Sequence, residues 1–337
     1  HDRGSRGRAR ACEGTAFDYS GYAGDQIGHT IVRFEKGPGN KIFLRRITYE
    51  ENPGDTTNSM YHAVVRSNLQ PLVAAFGISA FAPGTKASLL DVTDYINGDN
   101  DILFFSAASR RSMKVGPIQN NMSYIKDINA YPMNIEVRTI KTYVETTSRE
   151  NFTVELNSSI VLLPKKPMQK RYADKRIGYF TERYTDYDAN PQGVKVISYI
   201  KRWRLEPKPE DVEQYMNGEL VEPRKPITFY IDPATPKKWV PYLIKGVEDW
   251  QVAFEKAGFK NAIIAREAPT EKENPHWSLE DSRHSAIVYK PSPISNASGP
   301  IIADPRSGEI LESHINWYHN LMSILRQWYM IQCGPND

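Results

Sequence analysis

The segment from Pro226 to Gly258 constrains the chain most. A strand-like run, PITFYID, is followed by apolar residues at steps of three and four: Val240, Leu243, Ile244, Val247, Trp250 and Phe254. That spacing gathers them into one stripe on a helix, with Lys245, Glu248, Asp249 and Glu255 away from it. Between run and stripe, Asp232-Pro233-Ala234-Thr235-Pro236 supplies a turn, a cap candidate in Thr235 and a proline for the first turn. Gly258 stands where a helix ends on a left-handed residue. A strand and an amphipathic helix bury their apolar sides by packing on one another, so this part of the chain is predicted to lay helix on sheet, with Trp250 among the buried residues.

The pattern continues in the same sense. Ala262 to Ala265 and Ser285 to Tyr289 read as strands, and Gly299 to Ala303 with Glu309 to Trp317 as a hairpin closed by Asp304-Pro305-Arg306-Ser307-Gly308. In the last strand Leu311, Ser313, Ile315 and Trp317 share one face, and Glu312, His314 and Asn316 the other, polar one. Tyr318, Leu321, Met322, Leu325 and Trp328 then repeat at helical spacing up to Gly334-Pro335.

Upstream, the chain reads as strands and turns. Thr30 to Phe34 and Lys41 to Thr48 are joined by Gly37-Pro38-Gly39-Asn40 as a hairpin. Met60 to Leu69 suits a short helix. Ala87 to Val92, Ile102 to Ser106, Met133 to Glu145 and Phe152 to Leu163 carry the β-branched and aromatic residues of strands, the last two as an antiparallel pair. Asp91 to Asp101, DVTDYINGDND, clusters oxygen ligands but departs from the calcium-loop spacing. It lacks a twelfth-position Glu, and Val92, Tyr95 and Ile96 interrupt the alternation, so it is read as a capped turn with Asn97-Gly98 at its tip.

The expected fold class is α+β, in four parts. Residues 1–25 are a tail, arginine-rich up to Glu13 and read as disordered; 26–165 form a mostly antiparallel β domain. Residues 166–225 connect, with strands at Arg176 to Tyr184 and Val194 to Arg204 and a short helix from Pro207 to Asn217; 226–337 form the α/β part. The connector's interleaved aromatic and basic residues are read as stems lying on rings rather than as a nucleic-acid surface.

Composition narrows the partners. With 43 basic and 40 acidic residues the net charge is +3, too balanced to draw the chain to nucleic acid or anionic membrane. No run of 18 apolar residues offers a membrane span, and the N-terminus lacks the apolar core of a signal peptide. Two cysteines, Cys12 and Cys333, make neither a disulfide framework nor a metal knuckle.

Three long stretches carry a resemblance: KPITFYIDPATPKKWVPYLIKGVEDWQVAFEKAGFKNAI (Lys225 to Ile263), SLEDSRHSAIVY (Ser278 to Tyr289) and SPISNASGPIIADPRSGEILESHINWYHN (Ser292 to Asn320). From about Gln26 onward the chain resembles the large zinc-dependent, metzincin-like metalloproteases of Bacteroidetes-type bacteria, in which a β-rich domain precedes the catalytic domain. The resemblance implies that 226–337 is an incomplete N-terminal subdomain of that catalytic domain, a mixed sheet with packed helices, in an extracytoplasmic protein that is periplasmic, surface-bound or secreted. It implies that the full-length parent hydrolyses peptide bonds with zinc-activated water, using an H-E-x-x-H-x-x-G-x-x-H helix. None of the seven histidines here, His1, His29, His62, His276, His284, His314 and His319, begins that motif. The expectation is therefore a fragment without catalytic residues of its own, holding no metal, from a parent that takes polypeptide substrates.

In such folds the antiparallel edge strand pairs with extended substrate backbone, and by element order that strand is Gly299, Pro300, Ile301, Ile302 and Ala303. Pro300, without an N–H, suits an edge. Glu312 and His314 share a strand face and could supply two metal ligands, with no third in view. The alternative reading is a non-catalytic surface β protein that binds a protein partner or glycan, supported by an aromatic content of 11%.

Overall fold

The structure is a computed structural model that describes residues 4–14, 26–52, 57, 59–85, 87–190 and 192–334. Mostly antiparallel strands and few helices make it a strand-rich α+β chain, and it divides into two compact units. Residues 1–166 with 172–199 form the first, and 167–171 with 200–337 the second. The segment 166–225, read as one connector, is thus shared between the two. Its early part contributes strands to the first unit, and its later part belongs with the second.

The first unit contains β1 (Gly4–Gly14), β2 (Gln26–Lys36), β3 (Lys41–Ile47), β4 (Glu51–Asn52), α1 (Ser59–Ser67), β5 (Leu72–Phe81), β6 (Ser88–Leu90), α2 (Thr93–Asn97), α3 (Ala107–Ser112), β7 (Val115–Ile118), β8 (Tyr124–Ala130), β9 (Asn134–Glu145), β10 (Asn151–Leu162), β11 (Thr181–Asn190) and β12 (Gly193–Ile200). Nine strands make one sheet in the order β6-β5-β3-β2-β1-β10-β9-β7, with β8 also on β9, and β12-β11-β4 make a second. The two hairpins read from the sequence are both present. In β2–β3 Phe34 lies opposite Leu44, and in β9–β10 Leu156 lies opposite Thr139. One face of the large sheet carries the core, including Val32, Leu44, Phe76, Val137, Tyr143, Phe152, Val154 and Leu156.

Two expectations change here. The tail expected to be disordered over 1–25 is a strand in part: Gly4–Gly14 pairs antiparallel with both β2 and β10, and residues 1–3 and 15–25 lie outside the described residues. Strand pairing is a main-chain interaction, so an arginine-rich run without apolar periodicity can fill a gap between two edges. Ile102 to Ser106 is not a strand. The Asn100 carboxamide oxygen accepts the backbone N–H groups of Ile102 and Leu103 at 3.2 and 2.9 Å, which turns the chain and leaves Ile102, Leu103, Phe104 and Phe105 as a buried loop.

The second unit contains α4 (Val212–Met216), β13 (Ile227–Ile231), α5 (Val240–Glu248), α6 (Gln251–Lys256), β14 (Ile263–Glu267), β15 (Ser285–Lys290), β16 (Ala297–Ser298), β17 (Ile301–Asp304), β18 (Glu309–Tyr318) and α7 (Leu321–Cys333). Its sheet runs β14-β13-β15-β18-β16, with β17 also on β18. β14, β13, β15 and β18 are mutually parallel, whereas β16 and β17 are antiparallel to β18. Ile227, Phe229 and Ile231 point alternately into the core and meet Val240, Leu243 and Val247 of α5. Each such side chain contributes about 1.5–3 kcal/mol on burial.

The predicted stripe holds at Val240, Leu243, Ile244 and Val247, and Phe254 packs on the same core; Trp250 alone leaves it. Thr235 does not cap: the helix starts at Val240 with Pro241 in its first turn, and the Thr235 hydroxyl is buried without a partner. At Asp249 and Trp250 the helix tightens, Trp250 N–H donating to the Val247 carbonyl three residues back at 3.3 Å. That turns Trp250 off the stripe, and it is 63% exposed instead of buried against the sheet. Gly258 does end the segment, at φ +91°, and a Cβ there would stand 2.7 Å from the Tyr215 ring. Among the described residues no helix is long and apolar enough to cross a membrane.

Candidate functional site

The outer rim of the second unit's sheet is one strand interrupted once. Ser298 lies opposite Asn316 and Ile301 opposite Ser313, so the register carries through Gly299 and Pro300 unchanged, although those two residues make no ladder pair. Pro300 has no N–H to offer the ladder, which is why the strand divides there into β16 and β17. The Pro300 carbonyl still accepts from the Ser313 hydroxyl at 3.3 Å. Of the five residues Gly299 to Ala303 expected to line a substrate, Ile301, Ile302 and Ala303 thus stand in the antiparallel rim strand and Gly299 and Pro300 in its break. The register slips by one between Ile302 and Ala303, and this bulge turns β18 at Leu311.

Behind the rim, the polar face of β18 proves the more buried one: Glu312, His314 and Asn316 are nearly inaccessible, whereas Leu311, Ile315 and Trp317 are half-buried. Glu312 Oε1 lies 2.9 Å and the His284 carbonyl 3.2 Å from His314 Nε2. Two acceptors face that nitrogen, so it carries the proton and donates. The ring's Nδ1 keeps the lone pair, so this pair offers a metal at most one ring nitrogen and one carboxylate, short of the three protein ligands zinc takes. Among the described residues no group of three His, Cys, Asp or Glu side chains is placed to hold a metal, and zinc does not fit this donor set. His319, five residues on, is turned away to the Tyr289 hydroxyl, with which its Nδ1 shares a short hydrogen bond.

At the amino ends of β13, β15 and β18 lies a cavity of about 250 Å³. Its walls are Trp203, Pro226, Ile227, Tyr230, Ile310 and Leu311, and its polar groups come from Arg204, Lys225, Thr228, Arg283, Ser285 and Glu309. None of Gly299 to Ala303 lines it. Arg204 is fixed by a fork on Glu309, Nε to Oε1 at 2.9 Å and Nη2 to Oε2 at 2.5 Å. Arg283 is fixed by Asp281, whose carboxylate takes its backbone N–H and Nε at 3.0 Å and Nη2 at 2.6 Å. Burial alone would raise the Asp281 carboxyl, but the Arg283 side-chain and backbone bonds outweigh it and hold the group below its ordinary range. Beside the cavity, the His284 ring stacks on Trp277 with centroids 5.2 Å apart, and Tyr230 meets both edge-on.

The Asp91 to Asp101 segment of the first unit also resolves. Asp91 caps Thr93, Asp99 pairs with Arg110 and Asp101 with Arg46, so the acidic residues are used as turn caps and ion pairs. The cation at the end of α2 is covalent: the Lys141 ammonium donates to the carbonyls of Ile96, Asn97 and Gly98 at 2.6, 2.8 and 3.0 Å and lies 4.3 Å above the Phe104 ring. Nothing in the β9 sequence marks Lys141 for that place. The Asp-x-Arg spacing at 174/176, 281/283 and 304/306, by contrast, was available to reading and announces the same fork three times.

Comparison with known proteins adds one match, to a family described as a domain of unknown function, DUF5117, over residues 24–208. The match covers most of the first unit and stops short of the rim strand. No curated protein and no solved structure matches the chain. With more than half of its length inside that match, the chain belongs to the DUF5117 family.

Proposed function

We propose that this chain is the non-catalytic portion of a zinc-dependent metallopeptidase, in which the second unit supplies the wall of the substrate cleft. The observation that carries the reading is the antiparallel rim on an otherwise parallel sheet, since a mixed sheet with an antiparallel edge strand is what the resemblance of 225–320 to metzincin-like proteases implies. An extended peptide laid along β17 would gain main-chain hydrogen bonds worth about 0.5–1.5 kcal/mol each. Gly299 to Ala303 align substrate, and the zinc ligands belong to a following helix of the parent, in a protein that works outside the cytoplasm. Glu312 and His314 brace the rim from behind.

The test is a version extended through a zinc-binding helix and assayed on a peptide substrate. Ile301→Pro removes an N–H from the rim strand and should lower turnover while zinc content and thermal midpoint stay near those of the parent. Ile301→Ala keeps the amide and should leave turnover close to the starting value. Equal turnover in both variants overturns the rim assignment. An extended protein that holds zinc but cleaves no peptide overturns the peptidase reading and favours a binding protein.

A further inference from the structure

We infer that the cavity at the amino ends of β13, β15 and β18 binds a small monocarboxylate carried on an apolar or aromatic body. The argument is independent of the peptidase reading, since the cavity lies away from the rim strand. Its size, about 250 Å³, leaves room for roughly eight waters at about 30 Å³ each, enough for a ring and its carboxylate.

Charge sets the ligand's sign. Arg204 is paired with Glu309, with Glu206 a further 3.9 Å from its Nη1, and Arg283 is paired with Asp281, so the surplus that these pairs leave on the lining is the single ammonium of Lys225. A monoanion matches that surplus. Both oxygens of Glu309 already accept from Arg204, and both of Asp281 from Arg283, so neither carboxylate competes for the remaining donors. Those donors are the ammonium of exposed Lys225, Nη1 of Arg283 and the hydroxyl of Ser285. Ser285 is 5% exposed, and its Oγ accepts from the Ser313 N–H at 3.1 Å, which leaves its own proton to donate. Hydrogen bonds from such cations to a carboxylate are about twice as strong as neutral ones.

The walls set the ligand's body. Trp203 is held edge-on to Phe229 with centroids 6.2 Å apart, and Tyr230 is held by Trp277 and His284, so two rigid aromatic side chains flank the space that Ile310 and Leu311 close. A flat apolar group loses little freedom between them, whereas a fully hydrated oxyanion gains nothing from these walls.

Benzoate is the probe, with benzamide as its neutral counterpart and inorganic phosphate as the bare anion, each titrated into the purified chain by calorimetry. Saturable benzoate binding is expected, about tenfold tighter than benzamide, the loss of one charge-assisted bond. Phosphate should fail to displace it at equal concentration. Lys225→Gln should weaken benzoate about fivefold and Arg283→Gln about tenfold, while benzamide affinity stays the same in both. Because Arg283 also ties Asp281, exposed Lys225 carries the test if Arg283→Gln loses its fold. No benzoate binding, equal binding of benzoate and benzamide, displacement by phosphate, or an unmoved Lys225→Gln variant would each overturn the assignment.

Discussion

In the first unit one fully buried charge is Lys141, whose ammonium reaches carbonyls 43 to 45 residues back along the chain. In the second it is Asp304, wholly buried and answered by Arg306 two residues on: the Arg306 backbone N–H reaches Oδ1 at 2.9 Å, and its guanidinium reaches both oxygens at 2.7 to 3.2 Å. Lys141 is met by dipoles that the fold brings together, Asp304 by an opposite charge that the local sequence supplies. A dipole cage exists only in the folded chain, whereas an Asp-x-Arg fork can begin to form in an isolated turn. The fold should therefore depend more steeply on Lys141 than on any of the forks.

Lys141→Met, which keeps the stem and removes the ammonium, strands the buried Ile96 carbonyl and the half-buried carbonyls of Asn97 and Gly98 and is expected to cost about 4 kcal/mol, each unpaired acceptor being worth about 1–3 kcal/mol before relaxation. Denaturant midpoints give the figure; a loss under about 1 kcal/mol would mean that the cage contributes little. The same site predicts a pH dependence. Burial pushes the Lys141 ammonium down from 10.5 to about 8. Between those values the unfolded chain binds a proton that the folded chain has released, so this group makes stability rise with pH across the window. The stability difference between the starting chain and Lys141→Met should widen from pH 8 to 10.5. Parallel curves would show that the ammonium keeps its ordinary value.

Asp304→Asn should come next, at about 3 kcal/mol. It keeps the acceptor for the Arg306 backbone N–H but leaves a mostly buried guanidinium without its counter-charge. If this loss exceeded that of Lys141→Met, the ordering of cage above fork would be reversed.

The same contrast between local and distant partners explains what was legible in the sequence. The β2–β3 and β9–β10 pairs were readable because apolar alternation and turn residues are local, and the α5 stripe was readable through Val247 for the same reason. Periodicity misplaces Trp250 because it assumes an unbroken helix, whereas the tightened turn at Asp249 and Trp250 swings this ring outward before Phe254 returns to the core. Ile102 to Phe105 have strand composition, but the Asn100 side chain claims the amides of Ile102 and Leu103 and the Asn100 backbone carbonyl that of Phe104. On β18 alternation separates the two faces but does not tell that the polar one is buried, where Glu312 and His314 satisfy one another. The rim strand followed from order and from Pro300. The cavity did not, since its donors come from residues 203–230, 283–285 and 309–311, which only the fold assembles.

The three forks finally allow burial to be varied at constant local geometry. Asp174 takes the Arg176 backbone N–H and Nε at 3.0 Å and Nη2 at 2.6 Å, distances that match those of Asp281 with Arg283. Surroundings differ: the Asp281 side chain is nearly inaccessible beside a half-exposed Arg283, whereas Asp174 and Arg176 both stand in solvent. In water the attraction competes with hydration and with the freedom of two side chains, so an exposed pair adds little even at ideal distances. Asp281→Asn should cost about 1–2 kcal/mol, less than Asp304→Asn because its arginine can turn to solvent. Asp174→Asn should leave the denaturant midpoint where it was. If the Asp174 and Asp281 variants lose the same stability, the fork's worth is set by its geometry rather than by burial, and the explanation given for the steeper dependence on buried charge fails with it.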